Sequence, residues 1–169
     1  GARHADNLAP CLFGGFTLVR TTDPLDIVEL SFPKLWATVI HPQIEIRTSE
    51  AHALLPQEVA LRAAIVQWAN VGALVAGLAK ADLGLIGRSL EDAIVEPVRK
   101  PLIPNFDEVK AACLDAGALG GGISGSGPSL FMLSASMETA VSVEKAMCTA
   151  FQKTGILFST YVSEIAREG

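Results

Sequence analysis

The sequence has few positive charges for its length. Its 169 residues include 13 lysines and arginines against 18 acidic residues, which gives a net charge of −5 and an isoelectric point near 5.1. An acidic chain has no general electrostatic attraction for nucleic acid or for an anionic membrane surface. We therefore expect a small-molecule or protein partner, and neither nucleic acid nor a membrane.

Cysteine is scarce as well. Cys11, Cys113 and Cys148 lie far apart in the sequence. Their odd number and their spacing fit neither a disulfide framework nor a zinc site, so a reducing cytoplasm is the expected location. A nucleophile elbow and a Cys-His signature are also absent, so nothing in the sequence supports nucleophilic catalysis.

A signal peptide and a membrane-length apolar run are missing too. The chain starts at Gly1 without methionine and without the charged and apolar regions of a signal peptide. We expect a processed product or a piece of a longer protein. The most apolar stretch, residues 63–79, is interrupted by Gln67, Asn70 and two glycines and is shorter than the ~20 residues of a membrane helix. We interpret it as a buried core helix.

What the sequence does contain is ample apolar material. Hydrophobic residues make up 50% and charged residues 18%, with a mean hydropathy of +0.39, which is typical of an ordered domain. The hydrophobic spacing predicts a hairpin at 16–20 and 25–30, strands at 35–40, 129–133 and 156–165, and helices at 61–80, 83–95, 105–117 and 140–151. This order predicts an α+β fold of ferredoxin-like type.

A proline-bracketed basic segment follows the second of these helices. Pro97 and Pro101 enclose Arg99 and Lys100, which predicts a stiff, extended connector. A pre-organised guanidinium is suited to bidentate binding of a carboxylate or phosphate. The alternative is a solvated charge beside Lys100 or a surface pair between Arg99 and Glu96.

The segment 120–129 is rich in glycine and serine. Its glycines permit positive φ, and its serines add hydroxyl donors, so a phosphate cradle is reasonable. The order helix, glycines, strand excludes the Rossmann pattern, and the missing lysine excludes a Walker A loop. A tight β-turn with close backbone packing is the open alternative.

The histidines give weaker signals. His4, Asp6 and Asn7 cannot all face one side of a helix start, and no second cluster completes a metal-ligand set, so no metal site is expected. His41 precedes Pro42 and is interpreted as a strand-end residue. His52 lies just inside a predicted helix start and remains ambiguous.

Four ordered motifs together resemble the homoserine kinase branch of the GHMP small-molecule kinase superfamily. They are HADN at 4–7, TSEA at 48–51, EPVR at 96–99 and GISGSGPS at 122–129. The resemblance implies a ferredoxin-like C-terminal kinase domain at 33–169. The tail of an N-terminal domain of the ribosomal protein S5 domain 2-like type would occupy 1–32.

The resemblance also implies an activity, namely transfer of the ATP γ-phosphoryl group to the side-chain hydroxyl of L-homoserine, a step toward threonine. By position, Asn7 would hold polar groups of the amino acid, Thr48 would lie near its head group, and Arg99 would pair with its α-carboxylate. His52 stands where the family has arginine, so carboxylate affinity should be weaker or depend on pH. The phosphate-side loop would comprise Gly122, Ser124, Gly125, Ser126, Gly127 and Ser129.

The family's nucleotide loop, P-x-x-x-G-L-G-S-S-A, and its Mg²⁺-binding carboxylate are not found in these residues. Phosphoryl transfer depends on such parts, so this chain alone is expected to be inactive and to contain no catalytic residue. A homodimer is the expected assembly. The alternatives are a GHMP kinase for another small alcohol, or a non-catalytic module that binds an amino acid or dimerises.

Overall fold

The computed structural model describes residues 5–47, 51 and 53–169. The helices are α1 (Ala5–Phe13), α2 (Leu61–Lys80), α3 (Leu83–Ser89), α4 (Glu96–Arg99), α5 (Phe106–Asp115) and α6 (Met137–Gln152). The strands are β1 (Phe16–Thr22), β2 (Leu25–Leu30), β3 (Trp36–Pro42), β4 (Gly120–Ile123), β5 (Leu130–Ser134) and β6 (Phe158–Glu164).

Four of the strands form an antiparallel sheet in the order β4-β5-β3-β6. Helices connect β3 to β4 and β5 to β6, so this part of the chain runs strand, helix, strand, strand, helix, strand. That order is the ferredoxin-like arrangement. The predicted α+β fold is confirmed, and so is the predicted hairpin, which forms a separate two-stranded sheet of β1 and β2.

The sequence pattern does not predict β4, whose residues it assigns to a glycine-rich segment. Glycine favours strands little, so its propensity points to a loop. A Cβ on Gly121 would lie 2.0 Å from the carbonyl oxygen of Phe131, and one on Gly120 would lie 3.0 Å from that of Gly87. The glycines are therefore needed where β4 packs closely on β5 and α3.

Helices α5 and α6 cover one face of the sheet and form the main core. The apolar positions predicted for α6 are all buried: Ala140, Val143, Met147, Ala150 and Phe151. They pack with Ile40, Leu130 and Met132 of the sheet. Because successive strand residues face opposite sides, Leu133 belongs to a second cluster on the other face.

That second cluster joins the N-terminal hairpin and helices α2 and α3 to the sheet. Its buried members are Leu35, Leu78, Ile86 and Leu133, with Phe16, Leu30 and Phe32 packed against them. The backbone N–H of Gly15 also donates to the carbonyl oxygen of Ala166, 2.8 Å away. The hairpin therefore packs on the rest of the chain, and the boundary between residues 32 and 33 stays a prediction.

Helix α2 has the predicted bounds but not the predicted burial. Only Gly77 and Leu78 are buried within it, whereas Leu61, Ile65 and Trp68 are 53–68% exposed. The interpretation as a buried core helix is therefore wrong for this chain. By length and composition alone, α2 is also apolar enough to cross a membrane.

The segment between α2 and α5 differs most from the prediction. The helix predicted at 83–95 ends at Ser89, since the Asp92 carboxylate accepts the backbone N–H groups of Ile94 and Val95, a local pattern that competes with helix. The extended connector predicted at 96–101 is instead the helical turn α4, followed by a 3-10 turn. Pro97 is tolerated because it lies in the first turn, where its missing N–H would have no helical partner.

The start of α5 is correctly predicted, but not the role of its first side chain. Asn105 has a φ of +61° and makes no side-chain cap hydrogen bond. Its Nδ2 donates instead to the carbonyl oxygen of Ala150, 2.9 Å away. The side chain thus ties α5 to α6 rather than capping its own helix.

Candidate functional site

Residues 124–129 form the loop of the hairpin between β4 and β5. The backbone N–H of Ser124 donates to the carbonyl oxygen of Ser129 at 2.8 Å, and that of Gly127 donates to the carbonyl oxygen of Ser124 at 3.0 Å. Gly125 and Gly127 have φ values of +58° and +85°, in the region that favours glycine. Ser124 and Gly125 are exposed, so a tight turn presents polar groups to solvent.

Arg99, at the end of α4, contacts this loop. Only 8% of the residue is exposed, and its Nη1 donates to the carbonyl oxygen of Gly125 at 2.9 Å. Its Nε is buried and has no hydrogen-bond partner among residues 5–47, 51 and 53–169. The guanidinium therefore keeps unused donor capacity at the base of the loop.

The carboxylates near Arg99 are engaged elsewhere. Glu96 pairs with Lys110 at 2.6 Å, and Asp107 pairs with Lys100 at 2.8 Å. Within the described part of the chain, Arg99 has no ion-pair partner. A solvated Arg99 and an Arg99–Glu96 pair, the two alternatives from the sequence, are therefore both wrong. Burying a charge is costly unless it is paired, so the surroundings of Arg99 favour an anionic partner.

His41 supports the far end of the same loop. It lies near the end of β3, as predicted, and its Nδ1 is 2.8 Å from Oγ of Ser129. The two residues are 88 positions apart, and no motif in the sequence connects them. This contact is a feature of the site that sequence reasoning missed.

A cavity of about 200 Å³ adjoins the hairpin, between α2, residues 89–96 and β4. Glu91, Asp92 and Glu96 make part of its lining acidic, and Arg99 does not line it. Gln67 on α2 accepts the backbone N–H of Ala93 at 2.9 Å, so α2 helps to shape this wall. The volume is below the roughly 300 Å³ at which drug-sized sites begin, so the cavity suits a small molecule.

Most of the other predicted site residues are not brought to Arg99. Asn7 is exposed on the first turn of α1, and no described contact joins it to Arg99 or to the hairpin loop. Thr48, His52 and His4 lie outside the described residues. In the chain that the structure describes, no group of three His, Cys, Asp or Glu side chains is placed to hold a metal ion.

The thiols of Cys113 and Cys148 are poor nucleophiles here. Burial raises the pKa of the Cys113 thiol to about 12, with a smaller contribution from the neighbouring Cys148. Burial also raises the pKa of Cys148. The three cysteines carry free thiols, and only Cys11 is exposed.

Comparison with known proteins places this geometry in a family. Residues 74–153 match the model described as GHMP kinases C terminal. The whole chain is 52% identical to a homoserine kinase of Chloroherpeton thalassium, of which it covers 54%. The chain thus contains a GHMP kinase C-terminal domain. It spans about half the length of the curated relatives it matches.

Two solved kinase structures share this fold. The crystal structure of homoserine kinase from Cytophaga hutchinsonii superposes with a TM-score of 0.97 at 55% identity, over all of this chain and 54% of the other. L. major mevalonate kinase superposes with a TM-score of 0.77 at 18% identity, over 98% of this chain and 54% of the other, which shows the fold alone. The region matched to the GHMP kinase model contains Arg99 and the 124–129 loop, but neither Asn7 nor residues 48–52.

Proposed function

We propose that this chain is part of an ATP-dependent homoserine kinase. The enzyme would transfer the γ-phosphoryl group of ATP to the side-chain hydroxyl of L-homoserine, giving O-phospho-L-homoserine and ADP. Two relatives named homoserine kinase, at 52% and 55% identity over the whole chain, support this activity. A cytoplasmic enzyme of threonine biosynthesis would be the matching role.

Arg99 is the observation that carries the proposal. A guanidinium that is 8% exposed, lacks a carboxylate partner among the described residues and lies against a glycine-rich loop needs an anion. The α-carboxylate of homoserine would supply one, in a charge-assisted hydrogen bond. Asn7, Thr48 and His52 are proposed as further substrate-binding residues, and their roles rest on the motif resemblance alone.

The hairpin loop is proposed to face the phosphates of ATP. The Ser124 and Ser126 side chains carry hydroxyl donors, and the backbone N–H of Gly125 makes no described backbone hydrogen bond. Such donors can bind phosphate oxygens, and ATP bound beside this loop would supply them. Mg²⁺ is proposed to accompany ATP, and among the described residues no group of three His, Cys, Asp or Glu side chains is placed to hold a metal ion.

The experiment uses the protein encoded by the full reading frame that contains this chain. ADP release with ATP and L-homoserine is measured for wild type, Arg99→Ala and the matched control Lys100→Ala. Removing a charge-assisted hydrogen bond costs about 1.5–3 kcal/mol, so we expect the KM for homoserine to rise roughly 10- to 150-fold in Arg99→Ala. Lys100→Ala should stay within about twofold, because its exposed pair with Asp107 contributes little.

Two results would contradict the proposal. One is a wild-type enzyme that ignores homoserine but phosphorylates another small alcohol, which would favour a different GHMP kinase activity. The other is an unchanged KM in Arg99→Ala. The 169-residue chain by itself, which lacks the nucleotide-loop motif, is expected to release no ADP.

A non-catalytic role in association is the second candidate function. The exposed apolar side chains of α2 favour it, because contiguous apolar surface of this kind marks interaction sites. A homodimer is one such assembly. If the full-length protein turns over no alcohol yet associates through α2, this role replaces the kinase proposal.

A further inference from the structure

The most buried of the described ion pairs joins α4 to α5. Nζ of Lys110 donates to Oε1 of Glu96 at 2.6 Å, and the two side chains are 17% and 14% exposed. In the ion pairs of Arg20, Lys34, Lys100 and Lys153, both side chains are at least 37% exposed. An exposed pair constrains geometry little, whereas a buried, hydrogen-bonded pair fixes both partners.

Both ends of this pair are held by further contacts. Oε2 of Glu96 lies 2.5 Å from the position that a Cβ on Gly122 would take, so the carboxylate fills the space above β4. The Lys110 ammonium lies 5.8 Å from the ring centroid of Phe106, which is 3% exposed in the main core. The pair therefore connects the core to the stem of the glycine-rich hairpin.

Arg99 depends on the same short helix. Four residues are too few for a helix to be stable without tertiary contacts, and α4 has no side-chain N-cap. Glu96 begins α4, and Arg99 follows one turn later. The helix thus touches the hairpin twice, through Glu96 at Gly122 and through Arg99 at Gly125.

We propose that Lys110 is a positioning residue, which acts through Glu96 to hold the Arg99 guanidinium against the hairpin loop. Lys110 itself would touch no substrate. The consequence for catalysis rests on the proposed homoserine kinase function, because only there does Arg99 bind the substrate carboxylate. The structural consequence does not depend on that function and can be tested separately.

The first test measures the placement of Arg99 in the full-length protein. Hydrogen exchange of the Arg99 Nε–H group is followed by ¹⁵N NMR in Lys110→Met and in Lys110→Met/Glu96→Gln, which leaves no buried unpaired carboxylate. We expect exchange at least about tenfold faster in both variants, because the buried Nε becomes accessible. The conservative variant Lys110→Arg and the control Lys100→Met should keep the wild-type rate.

The second test measures kinetics in the full-length enzyme. In the double variant we expect the KM for homoserine to rise roughly tenfold and the KM for ATP to stay within about twofold, because misplacing a binding group weakens only its own ligand. Lys110→Arg should restore the KM for homoserine. Lys100→Met should resemble wild type.

Other outcomes would contradict either the positioning role of Lys110 or the proposed kinase function. Unchanged exchange at Arg99 in a folded double variant overturns the positioning role. A double variant that is unfolded without urea also overturns it, since the pair would then support the whole fold rather than one side chain. A wild-type enzyme inactive on homoserine sinks the proposed function, while the exchange rates still decide the role of Lys110.

Discussion

Helices α6 and α2 are both long and apolar, yet they meet very different surroundings. Helix α6 buries five apolar side chains against the sheet and α5. Helix α2 is longer and more apolar, yet it buries only Gly77 and Leu78, near its C-terminal end. Along its first half, Ile65 and Trp68 are more than half exposed.

An apolar helix face is therefore not always a buried face. On α6, the spacing of apolar residues matches a surface that this chain supplies itself. On α2, the chain supplies a surface only for the last turns, through the second cluster around Leu35 and Ile86. The first half of α2 is an apolar surface that the described residues leave exposed.

Truncating a buried side chain of α6 should cause the largest loss of stability. Phe151 is fully buried and packs edge-on against Phe158, with ring centroids 5.5 Å apart. Phe151→Ala should lower the free energy of unfolding of the chain by about 3–5 kcal/mol, as large-to-small core substitutions do. Urea denaturation measures the change.

Ile65→Ala on α2 is the matched control for that substitution. Ile65 is 53% exposed, so its truncation should change the free energy of unfolding by no more than about 0.5 kcal/mol. A loss of about 2 kcal/mol or more at Ile65, as is usual for truncation of a buried side chain, would show that α2 is packed in solution.

A pair of glycines gives a second contrast. A Cβ on Gly87 of α3 would lie 2.5 Å from the carbonyl oxygen of Leu119, whereas one on Gly72 of α2 would meet nothing within 4 Å. Gly87→Ala should therefore destabilise by about 1–3 kcal/mol through overpacking. Gly72→Ala should stabilise by about 0.5–1 kcal/mol through helix propensity. Opposite signs in urea denaturation support the contrast, and a destabilising Gly72→Ala contradicts it.

The exposed face of α2 should also drive association. Leu61, Ile65 and Trp68 follow helical i, i+4, i+7 spacing and lie on one face. We expect the 169-residue chain to sediment as an associated species and Ile65→Lys/Trp68→Lys to sediment as a monomer. Identical sedimentation of both proteins as monomers would show that α2 does not mediate association.

The smallest effect is expected at the exposed ion pair between α5 and the end of α6. The hydrogen bond from Lys153 is the main cause that lowers the pKa of Glu108 below its usual value. A carboxylate with a lowered pKa in the folded state adds stability above its unfolded pKa, ~4.3, and loses it as the pH falls through the folded pKa. Lys153→Met should therefore lower the urea midpoint slightly at pH 7 and by less at pH 3. An equal loss at both pH values would contradict this.

Much of the fold is predictable because its signals are local. The spacing of α6, the turn between β1 and β2, and the positive φ of Gly117 after α5 all depend on neighbours in sequence. Strand β4 depends on close packing against Phe131 and Gly87, and helix α4 depends on the pair with Lys110. These contacts are not visible in local sequence, so local propensity predicts a loop for β4 and an extended connector for α4. Burial of α2 could not be predicted for the same reason.

The candidate site divides in the same way. The motif order singled out Arg99 and the glycine-rich loop, and the structure brings these two together through Gly125. No local pattern links Glu96 to Lys110 or His41 to Ser129, because each pair meets only after folding. The roles proposed for Asn7, Thr48 and His52 remain predictions.

We propose that the Arg99 guanidinium, which has no ion-pair partner among the described residues, binds the substrate carboxylate. Isothermal titration of the full-length enzyme can test it with two ligands, L-homoserine and 3-aminopropan-1-ol, which lacks the carboxylate, on wild type and Arg99→Ala. We expect the Arg99→Ala substitution and the removal of the ligand's carboxylate each to weaken binding at least about tenfold. Combining the two should add little, because both delete the same guanidinium–carboxylate interaction. Fully additive losses, or unchanged affinity of Arg99→Ala for homoserine, would contradict the claim.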